Sequence, residues 1–163
     1  MDSGTSLFLF NSHILSNNNK LLDGFNTNTN ANIDLDKDSS ITAKIMRRDG
    51  FNIENGLLNL FVFFSPTGPK LEAINNKGHG MFLVNESKLD MAELSSLVLE
   101  GLKLEDGSAA NIYNAKIINN GNTDTSDISL EIATRANFVS GNTQIGTIVC
   151  DGSSFTKGQV SCP

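Results

Sequence analysis

The chain has 163 residues, 39% of them hydrophobic, which suits a single domain over residues 1–163 with a real core. Its net charge is −6, and its densest positive spot, "MRRDG", is followed at once by an acid; nucleic-acid partners are disfavoured, because neutralising phosphates needs clustered Lys or Arg. No apolar run approaches the roughly 18 residues of a bilayer span, and the longest, "LLNLFVFFS", reads as a buried strand.

Residues 1–40 are polar and Asn-rich, with apolar islands at Leu7–Phe10 and Leu21–Leu22. They read as one or two edge strands joined by loops, or as a partly flexible region. The opening "MDSGTSLFLF" lacks a basic n-region and a long apolar h-region, so it does not read as a signal peptide. Either the chain is a trimmed, mature form or it is not exported by that route. Asp23–Asn26 and Asp49–Asn52 repeat the tetrapeptide DGFN, as two similar turns or as an internal repeat.

From residue 41 strand signals dominate. "ITAKIMRR" alternates in part, and "NIENGLLNLFVFF" places Asn55-Gly56 between apolar segments, the signature of a type I′ hairpin. "SPTGPK" interrupts the chain, and "GMFLVN" is a further strand. In "SKLDMAELSSLVLEGLKLEDG", Ser87 can cap a helix, with Asp90 three residues on and Leu94, Leu97, Val98 and Gly101 at helical spacing. Leu97, Leu99, Leu102 and Leu104 nearly alternate instead. The favoured reading is a short helix at 88–95 and a strand over about 97–105. Residues 111–138 read as two long strands around an apex at Asn120-Gly121, and "TIVC" with "QVSC" as a closing pair. The sum is an all-β fold, an antiparallel β-sandwich of about eight strands with at most one short helix.

Catalytic signatures are sparse. His13 and His79 are the sole histidines, and no G-x-S-x-G elbow surrounds a serine. His79, between glycines, reads as a solvated turn residue; His13, beside Ile14 and Leu15, as a partly buried structural one. No catalytic residue is assigned. Phosphate-binding loops are absent, and zinc would need clustered Cys and His that this chain lacks. Calcium is the better metal candidate: Asp34, Asp36 and Asp38 alternate along "NIDLDKDSS", and hard cations take such oxygen clusters. Ser39 and Ile45 stand where an EF-hand needs Gly and Glu, so that motif fails, and a solvated acidic edge is the other reading. Asn85–Ser87 fits the N-glycosylation triplet, close to a chance match in so Asn-rich a chain.

Cys150 and Cys162 are both near the end of the chain. Their spacing does not fit a C-x-x-C redox centre. An antiparallel hairpin of "TIVC" and "QVSC" would bring them together as a disulfide that pins the C-terminus, which suits an oxidising compartment. The alternative is two reduced thiols in a cytosolic or virion protein.

Cys150, the loop "DGSSFTKGQVS" and Cys162-Pro163 together resemble the C-terminal disulfide loop of the head domain of type IV pilins and pseudopilins, over about a tenth of the chain. The long apolar N-terminal helix of that family has no counterpart in "MDSGTSLFLFNSHILSNNN". The resemblance implies a filament or tip-type subunit whose staple shapes a contact surface. The expected role is therefore a non-catalytic structural or adhesive subunit of a bacterial surface fibre or similar extracytoplasmic assembly. Its partners would be protein subunits of that assembly. The alternatives are a calcium-dependent, lectin-like binding module and a phage or virion decoration protein.

Overall fold

The computed structural model describes residues 4–18, 23–27, 30–36, 38–61, 67–118, 126–139, 144–158 and 160–163. Three parallel sheets wind through them. The first holds β1 (Ser6–Phe10), β4 (Asn32–Asp36), β7 (Leu57–Phe61), β10 (Lys88–Met91), β13 (Ala109–Ile112), β16 (Arg135–Phe138) and β19 (Phe155–Gly158), side by side in that order. The second holds β2 (His13–Asn17), β5 (Ser40–Lys44), β8 (Lys70–Ile74), β11 (Ser96–Leu99), β14 (Ala115–Ile117) and β17 (Gln144–Ile145). The third holds β3 (Phe25–Thr27), β6 (Phe51–Glu54), β9 (Met81–Val84), β12 (Leu102–Leu104), β15 (Ile128–Leu130) and β18 (Ile148–Cys150). Each strand pairs with the strands three before and three after it, so the chain is a parallel β-solenoid whose coils each give one strand to every sheet.

The core runs along the axis. Alternate residues of each strand point inward and stack in register on the coils above and below. Ile41, Leu71, Leu97 and Ala115 form one such column in the second sheet, and Phe51, Met81, Leu102 and Ile128 another in the third; none of these is more than 1% exposed. One coil could not bury these side chains alone. Stacking removes both faces of each from water.

Asparagine makes the corners. Asn11, Asn18, Asn30, Asn55, Asn75, Asn85 and Asn114 all take positive φ, the left-handed conformation that Asn tolerates better than other side chains. The corner from the second to the third sheet adds a line of close approaches and buried acids. A Cβ on Gly50 would meet the Ala73 Cβ at 2.5 Å and the Gly80 carbonyl oxygen at 2.7 Å. Beside it, Asp23 accepts a hydrogen bond from the Asp49 backbone N–H at 3.1 Å, and Asp49 one from His79 N–H at 2.6 Å. Glu100 accepts from Asn76 N–H at 3.3 Å, and Asp127 from Thr147 N–H. Each acid is less than 9% exposed yet bonded to another coil, which offsets its burial.

Several expectations are overturned. The antiparallel sandwich is replaced by three all-parallel sheets, with no helix among the described residues. Inward–outward alternation has the same period in either sheet type, and the turn signals redirect the chain into a new sheet instead of reversing it. Asn55-Gly56 is accordingly the corner between β6 and β7, which lie in different sheets. The segment expected as a helix at 88–95 is β10 and the corner after it, because Leu89 and Met91 both point into the stack. The strand expected over 97–105 is two strands, β11 and β12, divided at Glu100-Gly101, where Gly101 has φ +86°. The terminal hairpin is absent: β18 pairs with β15 and β19 with β16, both parallel. The two DGFN tetrapeptides stack, Phe25 on Phe51 and Asn26 on Asn52, so they hold the same place on successive coils. Leu21–Leu22 and the Asn120-Gly121 apex lie outside the described residues.

Gly50→Ala is expected to lower the unfolding free energy by about 1–3 kcal/mol in urea titration, because the added methyl overpacks a corner lined by the Ala73 and Asn76 side chains and the Gly80 carbonyl. Gly152→Ala, where a Cβ meets nothing within 4 Å, should stay within about 0.5 kcal/mol of the parent.

Candidate functional site

The outer face of the first sheet carries the most organised polar surface among the described residues. Its central column runs Phe8, Asp34, Asn59, Asp90, Asn111, Asn137 and Lys157, one residue per coil and in register throughout. Parallel pairing sets the spacing at about 4.8 Å per step. Asn59 donates its side-chain amide to Asp34 at 2.8 Å, Asn111 donates to Asp90, and Asn137 donates to the Asn111 side-chain oxygen Oδ1 at 3.2 Å. The order matters electrostatically. Asn59 lies between Asp34 and Asp90, so no two carboxylates are directly opposite, where like charges would repel.

A second column flanks the first: Ser6, Asn32, Leu57, Lys88, Ala109, Arg135 and Phe155. Ala109 is small and stands between Lys88 and Arg135. The dip it leaves is a groove of about 460 Å³, walled by Lys88, Arg135, Lys157 and Phe155 and floored by Asp90, Asn111 and Asn137. Phe155 is 54% exposed there, an apolar ring beside amides and cations. Two more grooves adjoin on the same face. One of about 640 Å³ shares Lys88, Ala109 and Arg135 and extends over the corner at Asn55 and Gly56. One of about 420 Å³ lies between Asp34, Asn59, Phe61 and Asp90.

The three aspartates expected to hold calcium are differently placed. Asp34 and Asp36 alternate along β4, Asp34 inside the ladder and Asp36 buried at 3% exposure. Asp38 is in the corner that follows, at φ 52°, and accepts a hydrogen bond from the Thr67 hydroxyl. Among the described residues no three Asp, Glu, His or Cys side chains are grouped to hold a metal ion. His79 is not a solvated turn residue: its Nδ1 is 3.1 Å from Asp49 Oδ1 and its ring is 5.8 Å from that of Phe82. His13 is exposed instead of partly buried, with Nδ1 2.8 Å from the Ser40 hydroxyl.

The cysteines are joined, with Cα atoms 5.7 Å apart. Cys150 ends β18 and stacks on Leu130 in an inward column. Cys162 returns over the last coil, where it and Val160 pack on the core and its N–H donates to the Thr156 hydroxyl at 2.9 Å. The staple thus fastens an end cap. Beside it, Asp151 accepts hydrogen bonds from Ile132 N–H at 2.6 Å and from the Ser153 hydroxyl at 3.0 Å. The Ser154 side chain, then the Ile132 backbone N–H, hold its carboxyl well below the ordinary aspartate value of 3.8.

No family model matches the chain, and no curated protein or solved structure is significantly similar to it. The ladder eluded the sequence reading because its members, such as Asn59 and Asp90, are 20 to 31 residues apart on neighbouring coils, at spacings that change from coil to coil. The DGFN repeat was the one signal of that period.

Reducing the disulfide, or Cys150→Ser with Cys162→Ser, should lower stability by about 3 kcal/mol in urea unfolding with and without reductant. Asp151 contributes stability that is present above the unfolded value near 3.8 and is lost as pH falls below it toward the depressed folded value. Asp151→Asn should therefore flatten the acid limb of the stability–pH curve and lower stability at neutral pH.

Proposed function

We propose that the chain is a non-catalytic, adhesive module of an extracytoplasmic assembly, and that it holds an extended, polyhydroxylated polymer along the outer face of the first sheet. The observation that carries this reading is the ladder from Asp34 to Asn137. It offers amide donors and carboxylate or amide acceptors at each step of about 4.8 Å, a repeating pattern that suits a ligand with repeating hydroxyl groups. Phe155 supplies an apolar surface for a ring face, and Lys88 and Arg135 supply donors at the groove wall. Stacked repeats commonly present such extended binding surfaces.

Rigidity supports the adhesive role. The ladder side chains from Asp34 to Asn137 stand on strands paired on both sides, so little ordering entropy is lost on contact. The stapled C-terminal cap suits an oxidising compartment, and the terminal loop's resemblance to pilin heads favours the same setting. Asp34 and Asp90 accept hydrogen bonds from the neighbouring Asn59 and Asn111 amides, which fix their oxygens at the ladder spacing.

Calorimetric titration with soluble neutral polysaccharides should show binding that persists in EDTA. Asn111→Ala and Arg135→Ala should each weaken it by about tenfold, the loss of one or two well-placed hydrogen bonds. Binding unchanged in both variants, or abolished by EDTA, would overturn this reading.

A further inference from the structure

Charge is unevenly divided over the first sheet. Strands β1, β4 and β7 contain Asp34 and Asp36 but no Lys or Arg. Strands β10, β13, β16 and β19 contain Lys88, Arg135 and Lys157, with Asp90 as their one acid. This balance is the reverse of the chain as a whole, whose net charge is −6. All three cations stand at the wall of the 460 Å³ groove.

Cations elsewhere are paired. Lys44 and Lys70 lie 3.4 and 3.1 Å from Glu72, Lys103 lies 3.3 Å from Glu131, and Arg48 lies 3.6 Å from Asp23. Lys88, Arg135 and Lys157 are exposed, and their charged groups have neither an ion pair nor a hydrogen bond among the described residues. Two acids are near them. Asp90 is held by the Asn111 amide, and Glu86 lines the adjoining groove. Three unpaired cations on one rigid face make a local positive potential, while acids on the other faces are weakened by salt screening over the distance.

The geometry between two of the cations is specific. Lys88 and Arg135 are both in register with Ala109, on the strands either side of it. Their backbone positions are therefore about 10 Å apart along the face, two strand spacings. The Ala109 methyl leaves the space between them open. A carboxylate seated there meets an ammonium on one side and, on the other, a guanidinium whose planar fork matches its two oxygens. Nucleic acid is a poorer occupant, because neutralising its phosphates needs a longer run of cations than these three.

Resting on the polymer-binding reading above, we infer that the polymer is acidic: a polyuronate with one carboxylate seated over Ala109, between Lys88 and Arg135. Its hydroxyl groups follow the ladder toward Asp34. The acidic half of the face, at Asp34 and Asp90, repels a carboxylate and so fixes which half receives it.

Calorimetric titration with a soluble polyuronate, and with the neutral polymer made from it by reducing its carboxyl groups, tests this. EDTA in both titrations removes any cation bridge between uronate and aspartate. The polyuronate is expected to bind about tenfold more tightly at low ionic strength, a preference that shrinks in about 1 M salt. Lys88→Gln and Arg135→Gln each keep an amide donor but lose the charge. Each should lower the ratio of the two affinities to about threefold or less, and the double variant should abolish the preference. Lys116→Gln, an exposed site on the second sheet, should leave the ratio unchanged. Equal affinity for the two polymers overturns the inference and leaves the functional reading standing; no binding of either overturns both. Equal tightening by polyglutamate would reduce the site to bare charge pairing, and tight binding of a sulfated neutral polymer alone would overturn the carboxylate assignment.

Discussion

Everything in this fold depends on the in-register stacking of inward side chains between successive coils. Parallel hydrogen bonding holds neighbouring strands about 4.8 Å apart, and that distance matches the thickness of an aliphatic side chain. Leu58 rests between Ile33 and Leu89, and Leu83 between Ile53 and Leu104, each 1% exposed or less. A coil by itself has no interior. Its burial comes from its neighbours, so stability accrues along the axis and the two end coils are the exposed ones.

The same register that packs the inside organises the outside. Outward residues are placed by the strand period and repeat at the coil spacing, so a polar choice made on successive coils becomes a ladder without any further device. Asp34, Asn59, Asp90 and Asn111 form such a ladder although they come from four separate segments of chain. Corners are free to vary. They carry the changes in coil length, and Asn at positive φ makes them cheap to build. The buried acids between the second and third sheets show the other use of a corner, since each ties one coil to another through a backbone N–H.

The sequence was readable wherever its meaning was local. The alternation of Ile41 with Ala43, and of Leu97 with Leu99, marked strands correctly. Cys150 and Cys162 were close enough in the chain for their pairing to be inferred, although the hairpin expected to bring them together is not what does so. Misreading began where local patterns have two spatial outcomes. Asn55-Gly56 turns a chain equally well into a hairpin or around a solenoid corner. Leu94, Leu97, Val98 and Gly101 fit helical spacing because a corner, the strand β11 and the next corner happen to place them so.

By itself, then, the sequence determined that the chain is β-rich, turn-punctuated by asparagine and equipped with two cysteines close enough to pair, because period-2 alternation, left-handed tolerance and cysteine spacing are properties of short segments. Only the tertiary structure decided the direction of the strands, the three-sheet winding, and which polar residues share a face. Those depend on which coil lies above which, through contacts between residues 20 to 31 positions apart at uneven spacing. No short window of sequence contains that register.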